Sequence, residues 1–455
     1  MKKITSKLLG GVLLFSLSMS LTSCEGALDD IFGHWEKPVS PRQRPLTLEA
    51  KTAGTIKVIY PQAGMKYSLN GQAKEAFTAG VDKEISVEAG DKVEFYGSGV
   101  SAYFSNNFID DDTKIKGGTA ECYIYGNIMS LLDEDGFALN TSLASYGDYT
   151  FGKLFQGNDK LYSHPTYELL FLATTLKTGC YLGMFGDCAN LTVAPALPAK
   201  TLADSCYVEM FSECTALTTA PALPATTLTK YCYYSMFKGC TALPTAPDLP
   251  ATTLKESCYK EMFEDCANLT VASALPATTL ANYCYYSMFA GCAALTTAPA
   301  LPATKLTKEC YEEMFKGCKA LTTAPDLPAT TLTVGCYCGM FTGCRALAEA
   351  PALPATTLDI ICYAGMFAGC SSLTETPHLP AATLVDMCYQ SMFSVCTGLT
   401  AAYVKADYDG INCYSMFWSC PNVSTNTFYT NGTGWSGADG LSQWNNTWHD
   451  THPYE

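Results

Sequence analysis

The chain has 455 residues, of which 43 are acidic and 28 basic, so its formal net charge is −15. This balance argues against a nucleic-acid partner and against an anionic membrane face. It contains 23 cysteines but only five histidines. Cysteine usage is therefore the main compositional feature to be explained.

Residues 1–23 have the pattern of an export signal. Three lysines precede an apolar run over 8–21, which is too short for a spanning helix. Residues 21–24, Leu-Thr-Ser-Cys, resemble the bacterial lipobox, which implies that Cys24 is lipidated and becomes the mature N-terminus. Losing three lysines and no acids would change the net charge from −15 to about −18. An ordinary secreted protein with a cysteine at this position is the alternative.

The next segments predict a tether and a small β domain. Residues 24–45 contain three prolines, which favour an extended tether. Over 46–125 the apolar residues alternate in short runs separated by glycine-containing turns, which predicts an antiparallel meander or small sandwich. The predicted strands are 55–60, 66–69, 84–88, 92–96 and 120–125.

A phrase of the form Cys-Tyr-x-x-Met-Phe-x-x-Cys-x-x-Leu then recurs every 26 residues from Cys180 to Cys388, with a tenth, clipped copy at Cys413. A fixed period predicts a solenoid, in which each unit buries its apolar residues against its neighbours. We number the units 1–10 and number positions from the first cysteine of each unit. Residues 126–179 are predicted to be an N-terminal cap with a degenerate repeat, 180–420 the solenoid and 421–455 a C-terminal cap.

Within a unit, positions 1, 2, 5, 6 and 9 have a spacing that predicts a short helix, ended by a frequent glycine at position 8. Positions 12–19 predict a strand with prolines at its ends or at a kink. The predicted fold is an α/β solenoid of leucine-rich-repeat type after a small all-β domain. Residues assigned to the repeat core include Cys180, Cys188, Cys206, Cys214, Cys232, Cys240, Phe185, Phe211, Phe237, Leu191 and Leu217.

The paired cysteines at positions 1 and 9 allow three interpretations. Free thiols packed as small hydrophobic groups are favoured, because a pair eight residues apart on a helix is about 12 Å apart, beyond disulfide reach. Disulfides between adjacent units are a second interpretation for an exported protein. Zinc is a weaker third, because the spacing is unusual and histidine partners are scarce.

The unit resembles the BspA-like leucine-rich repeats of bacterial surface proteins, of which the Cys-x-x-Leu and Leu-Pro elements stand in the matching places. Met-Phe replaces the Ala-Phe frequent in that family. The resemblance covers about 180–420 strongly and 150–179 weakly. It implies an outer-membrane lipoprotein on the surface of a Gram-negative bacterium, in some members adhesive towards host proteins.

No arrangement of nucleophile, base or phosphate-binding loop is present in the sequence, so no enzyme activity, catalytic residue, cofactor or metal is predicted. The main hypothesis is a lipid-anchored surface protein whose solenoid binds a host or cell-surface protein. The alternatives are a carbohydrate-binding lipoprotein of a glycan-uptake system, which exposed aromatic platforms would favour, and a structural surface protein.

Overall fold

A computed structural model of the chain describes residues 39–98, 103, 112–423, 428–430 and 433–435. The predicted export signal, the lipidation site Cys24 and most of the tether lie outside these ranges. So does most of the predicted C-terminal cap.

Two small sheets form the N-terminal part. One is a seven-stranded sheet in the order β10-β8-β1-β6-β3-β4, with β9 also paired to β8, and the other is a three-stranded sheet in the order β5-β2-β7. The strands are β1 (Leu46–Ala50), β2 (Gly54–Ile59), β3 (Lys66–Leu69), β4 (Glu75–Ala76), β5 (Lys83–Val87), β6 (Lys92–Tyr96), β7 (Lys114–Ile115), β8 (Cys122–Asn127), β9 (Leu161–Ser163) and β10 (Leu169–Leu170). All five predicted strands are present to within two residues.

The large sheet continues into the repeats. β8 pairs antiparallel with β1 on one side, whereas β9 and β10 pair parallel with β8 on the other. After β8, a 3-10 helix (Ile128–Leu131) is held by Asn127, whose side-chain oxygen accepts a hydrogen bond from the Met129 amide. The Asn127 side chain also donates to the Phe137 carbonyl at 3.0 Å. A buried amide with all these partners joins the β domain to the repeats.

The prediction of a short helix in each unit is wrong, so the fold is not α/β. Positions 1–9 form a chain of turns, and the described residues contain no α-helix. In unit 2, the amides of Val208, Met210 and Ser212 donate to the carbonyl three residues earlier. The amides between them donate to the next unit instead: Glu209 to Tyr234 at 2.9 Å and Phe211 to Met236 at 3.0 Å.

Residues with a left-handed backbone conformation at every fourth position prevent a helix from forming. Positions 0, 4 and 8 have positive φ angles in nearly every unit, as at Ser205 (56°), Glu209 (52°) and Glu213 (58°). The glycines at position 8, such as Gly239 (φ 70°), occupy this conformation and do not end a helix. A left-handed residue costs roughly 1–2 kcal/mol unless it is glycine. The hydrogen bonds to the next unit and the burial of the five side chains at positions 1, 2, 5, 6 and 9 offset that cost.

The inward side chains form continuous columns along the repeat stack, which we define as residues 149–423. The tyrosines at position 2 stack from Tyr181 to Tyr389 with ring centroids 5.7–6.1 Å apart. The phenylalanines at position 6 stack from Phe155 to Phe417 at 5.4–5.8 Å. Phe155 belongs to the degenerate repeat, which therefore takes its place in the stack.

The extended halves of units 1–8 make only isolated parallel bridges. Position 14 pairs between successive units, as in Val193 with Thr219, and position 22 does so in Thr253 with Thr279. The leucines at positions 12, 18 and 23 and the alanine at position 20 are buried. Between the two bridges the prolines prevent a regular ladder, because proline has no amide hydrogen.

The last unit starts one residue earlier than its cysteine suggests. Tyr389 donates its amide to the Asn412 carbonyl at 3.0 Å, so Asn412 takes position 1 and Cys413 takes the position of the tyrosine. In the extended half of unit 9, β11 (Ala402–Val404) pairs parallel with β12 (Phe428–Thr430), which follows the last unit. Trp435 is 1% exposed and donates its indole N–H to the Ala406 carbonyl. These contacts close the described end of the core.

Candidate functional site

The repeat stack presents two long surfaces. The strand face consists of positions 13–22, and the turn face consists of positions −1 to 8. On the strand face the exposed side chains are threonine at positions 13, 14, 21 and 22, alanine or aspartate at 17 and proline at 19. Val193 and Val271 at position 14 are 50% and 54% exposed. This surface has low relief and few charges.

Shallow cavities open between units on the strand face. One of about 420 Å³ lies between units 4 and 5 and is lined by Ser273, Leu275, Pro276 and Pro302 among others. A similar one of about 530 Å³ lies between units 2 and 3 and includes Asp248. Ser273 replaces the proline usual at position 16, and its hydroxyl is buried with no hydrogen-bond partner in the described protein. Both cavities are too open for a cleft that would enclose a substrate.

The turn face carries most of the charge of the repeats. From Asp204 to Gly317, its positions in units 2–6 hold ten carboxylates and five lysines. Two lysines are fixed by neighbouring units: Lys230 meets Glu256 at 2.8 Å, and Lys238 meets Glu264 at 2.7 Å. Half of the carboxylates therefore have no lysine to balance them, and this stretch is acidic.

Tyrosines stand between these charges. Lys260 lies over the rings of Tyr234, at 5.5 Å from the centroid, and Tyr286, at 4.5 Å. Tyr231 and Tyr283 occupy position 0 of the same two units, at the edge of the turn face, and Tyr231 is 37% exposed. The turn face thus supplies the aromatic groups that the strand face lacks, and aromatic side chains are the usual anchors of protein interfaces.

Three carboxylates of unit 6 crowd together at the end of the acidic stretch. Burial, and then the charge of Glu309, raise the pKa of Glu312 to about 7. One Glu312 carboxylate oxygen is buried without a hydrogen-bond partner in the described protein. Lys316 meets Glu313 at 2.7 Å and Lys308 meets Glu309 at 3.3 Å. The cluster remains short of one positive charge.

Aromatic side chains also gather where the β domain meets the repeats, but their faces are occupied. His164 stacks on Tyr167 at 4.6 Å, and Arg44 lies 4.2 Å from the centroid of the same ring. Lys51 lies 3.3 Å from the centroid of Tyr162. The hydroxyl of Tyr125 donates to Glu49 at 3.0 Å. These rings bind each other and nearby cations, so they brace the junction and do not form an open platform for a sugar.

The cysteines of the repeats belong to the core. All described cysteines are free, and only Cys338 is not fully buried. At position 9 each thiol donates to the carbonyl of the phenylalanine one unit earlier, at 3.0–3.2 Å, as in Cys214 to Phe185. Burial raises the pKa of Cys214 to about 12, so the thiol stays protonated. A small apolar donor suits this place better than alanine or serine.

All core residues assigned from the sequence lie inside the stack. Cys180, Cys188, Cys206, Cys214, Cys232, Cys240, Phe185, Phe211, Phe237, Leu191 and Leu217 are each at most 1% exposed.

Among the described residues no group of three or more histidine, cysteine or acidic side chains is arranged to hold a metal ion. His378 stacks on Tyr403 at 4.6 Å. The charged turn face was not singled out from the sequence, although variation at positions 0, 3, 4, 7 and 8 indicates exposure.

The chain is thus a largely non-helical protein of small sheets and stacked 26-residue units. No family model, no curated protein and no solved structure matches it. In the part of the chain that the structure describes, no helix is long and apolar enough to cross a membrane.

Proposed function

We propose that this protein is a cell-surface binding lipoprotein of Gram-negative bacteria, anchored to the outer membrane through Cys24, whose repeat solenoid of BspA-like, leucine-rich-repeat type adheres to host or cell-surface proteins. The role is binding and not catalysis. The observation that carries the proposal is the turn face of units 2–6, where paired tyrosines alternate with unbalanced carboxylates. Repeated anchors one unit apart suit an extended partner that makes many equivalent contacts.

Geometry also favours the turn face over the strand face. Successive units are about 4.8 Å apart where parallel bridges join them, so units 2–6 span roughly 20 Å. Along that length the half-buried rings of Tyr234 and Tyr286 lie on either side of Lys260. The strand face offers threonine, alanine and proline, which are poor anchors.

The proposal is tested with the mature chain on an array of immobilised extracellular-matrix proteins. Binding to at least one of them is expected, and the double variant Tyr234→Ser, Tyr286→Ser is expected to weaken it at least tenfold. The matched control Val193→Ser removes an exposed apolar group from the strand face and should leave binding unchanged. Absence of binding to every matrix protein, or equal loss in the control, would contradict the proposal. Protease treatment of intact cells followed by mass spectrometry tests surface exposure separately.

A further inference from the structure

Exposed apolar side chains cluster at the C-terminal end of the turn face. Of the 13 large hydrophobic side chains that are exposed among the described residues, six lie in units 8–10 of this face. Exposure of these six ranges from 39% to 69%, which is unusual for so many neighbouring residues on a soluble protein. We call them the apolar patch: Ile360, Met387, Val395, Ile411, Tyr414 and Trp418.

The turn face changes character abruptly before the patch. Units 2–6 carry fifteen charged side chains on this face, whereas units 7–10 carry only Asp386. Between the acidic stretch and the patch, units 7 and 8 have mainly glycine and alanine at the exposed turn positions. The side chains there are short apart from Ile361, whose Cδ1 would lie 3.6 Å from a Cβ placed on Gly335. One bound segment could therefore contact both regions.

The carboxylates of unit 6 lean towards this connecting surface. A Cβ placed on Gly335 of unit 7 would lie 2.9 Å from Cγ of Glu309 and 3.4 Å from a carboxylate oxygen of Glu312. A Cβ placed on Gly339 would lie 3.2 Å from Cγ of Glu313. The three acidic side chains therefore extend over unit 7, on the side of the apolar patch.

We propose that the turn face of units 6–10 binds an extended protein segment in which basic residues are followed by apolar ones. The basic residues would lie against Glu309, Glu312 and Glu313, and the apolar residues would cover the patch. Charge complementarity selects this partner, because a second copy of the acidic chain would bring like charges together. The distance from unit 6 to unit 10 is about 19 Å, which an extended segment of about six residues spans.

This inference names the partner chemistry for the function proposed above and rests on it. The probe is a labelled synthetic peptide of four arginines followed by alternating leucine and glycine, titrated with the mature chain by fluorescence anisotropy. Saturable binding that weakens with added salt is expected. A peptide with glutamate in place of arginine should bind at least tenfold more weakly. Equal binding of the two peptides would overturn the inference.

Two variants locate the site. Measured at pH 8, the double variant Glu312→Gln, Glu313→Gln should weaken peptide binding about fivefold to tenfold, through the loss of two partly buried carboxylates. Ala364→Tyr should weaken it about tenfold by blocking the connecting surface. Position 3 already holds tyrosine in Tyr234 and Tyr286, so the fold accommodates that side chain. Leu182→Tyr, at the same position of unit 1, is the matched control and should bind normally.

Unchanged affinity in both site variants would overturn the inference, as would concentration-dependent dimerisation of the mature chain that Trp418→Ser abolishes. These outcomes differ from failure of the proposed function. If the chain binds matrix proteins through Tyr234 and Tyr286 but does not bind the basic peptide, the proposed function stands and this binding site is refuted. If the chain binds no matrix protein, the proposed function is refuted.

Discussion

Replacing Tyr311 by phenylalanine should stabilise the protein. Tyr311 is 1% exposed in the centre of the tyrosine column, with ring centroids 5.7 Å from Tyr285 and 5.8 Å from Tyr337. Its hydroxyl is buried and has no hydrogen-bond partner in the described protein. Burial, followed by the neighbouring Cys310, raises the pKa of this hydroxyl well above its usual range. The hydroxyl therefore stays neutral, and its lost hydration opposes folding.

The expected size follows from that environment. A buried hydroxyl without a partner costs about 1–3 kcal/mol, whereas the ring and both stacking contacts remain in phenylalanine. Because a small void replaces the oxygen atom, we expect a net gain of about 1 kcal/mol in the free energy of unfolding. Tyr337→Phe should behave in the same way, since its hydroxyl is also unpartnered.

The measurement is urea unfolding in reducing buffer, followed by circular dichroism and by intrinsic fluorescence. Tyr125→Phe is the matched control, because the Tyr125 hydroxyl donates to Glu49 at 3.0 Å. That variant should lose about 1 kcal/mol, since a hydrogen bond to a charged acceptor is removed. If Tyr311→Phe lowered the free energy of unfolding by more than about 0.5 kcal/mol, the hydroxyl would have a partner in solution, and the column would not rest on ring packing alone.

Three further predictions concern pH and backbone conformation. Burial raises the pKa of the Cys214, Cys232 and Cys310 thiols to about 12. The free energy of unfolding should therefore be unaffected by these thiols below pH 9 and should fall between pH 9 and 12, by about 1.4 kcal/mol per thiol and pH unit. A titration at constant salt would detect this as steep alkaline unfolding. The pKa of Glu312 is raised from its usual 4.5 to about 7, so stability falls as pH rises from about 4.5 to 7 and is level above that range. Glu312→Gln should therefore gain less than about 1 kcal/mol at pH 8 and nothing at pH 4, and equal effects at both would contradict this assignment. Gly369 has φ 73°, and a Cβ placed there would meet only the Gly343 backbone, at an ordinary van der Waals distance of 3.7 Å. Gly369→Ala should therefore cost about 1–2 kcal/mol through backbone strain, whereas Ala368→Gly should cost less.

The buried cysteines explain why this composition suits the stack. The thiol at position 9 fills a small apolar space and donates to a backbone carbonyl one unit earlier, as Cys266 does to Phe237 at 3.1 Å. Alanine at this position would remove the thiol hydrogen bond to the carbonyl, and a larger residue would push the neighbouring units apart. The columns repeat this contact in every unit, so each cysteine stabilises one interface between neighbours.

The period of the apolar residues alone does not determine the local conformation of the unit. The apolar pairs at positions 1, 2, 5, 6 and 9 recur every four residues, which is close to the helical period of 3.6. The deciding signal was the set of positions between them: glycine or polar residues such as Ser235 and Gly339 recur at positions 0, 4 and 8, where φ is positive. The amides of alternate residues donate to carbonyl groups of the next unit and not to carbonyls within a helix. Those carbonyl groups come within reach only when the units stack.

The sequence by itself determined the period, the β domain and the inward residues, because a 26-residue repeat and a two-residue alternation are written directly in the order of apolar side chains. Strands such as β3 and β6 and core residues such as Phe211 follow from that order. Only the tertiary structure decided that the turns replace helices, that Asn412 begins the last unit, and that the acidic stretch and the apolar patch share one face. Each of these depends on contacts between residues at least 23 positions apart, which local patterns do not encode.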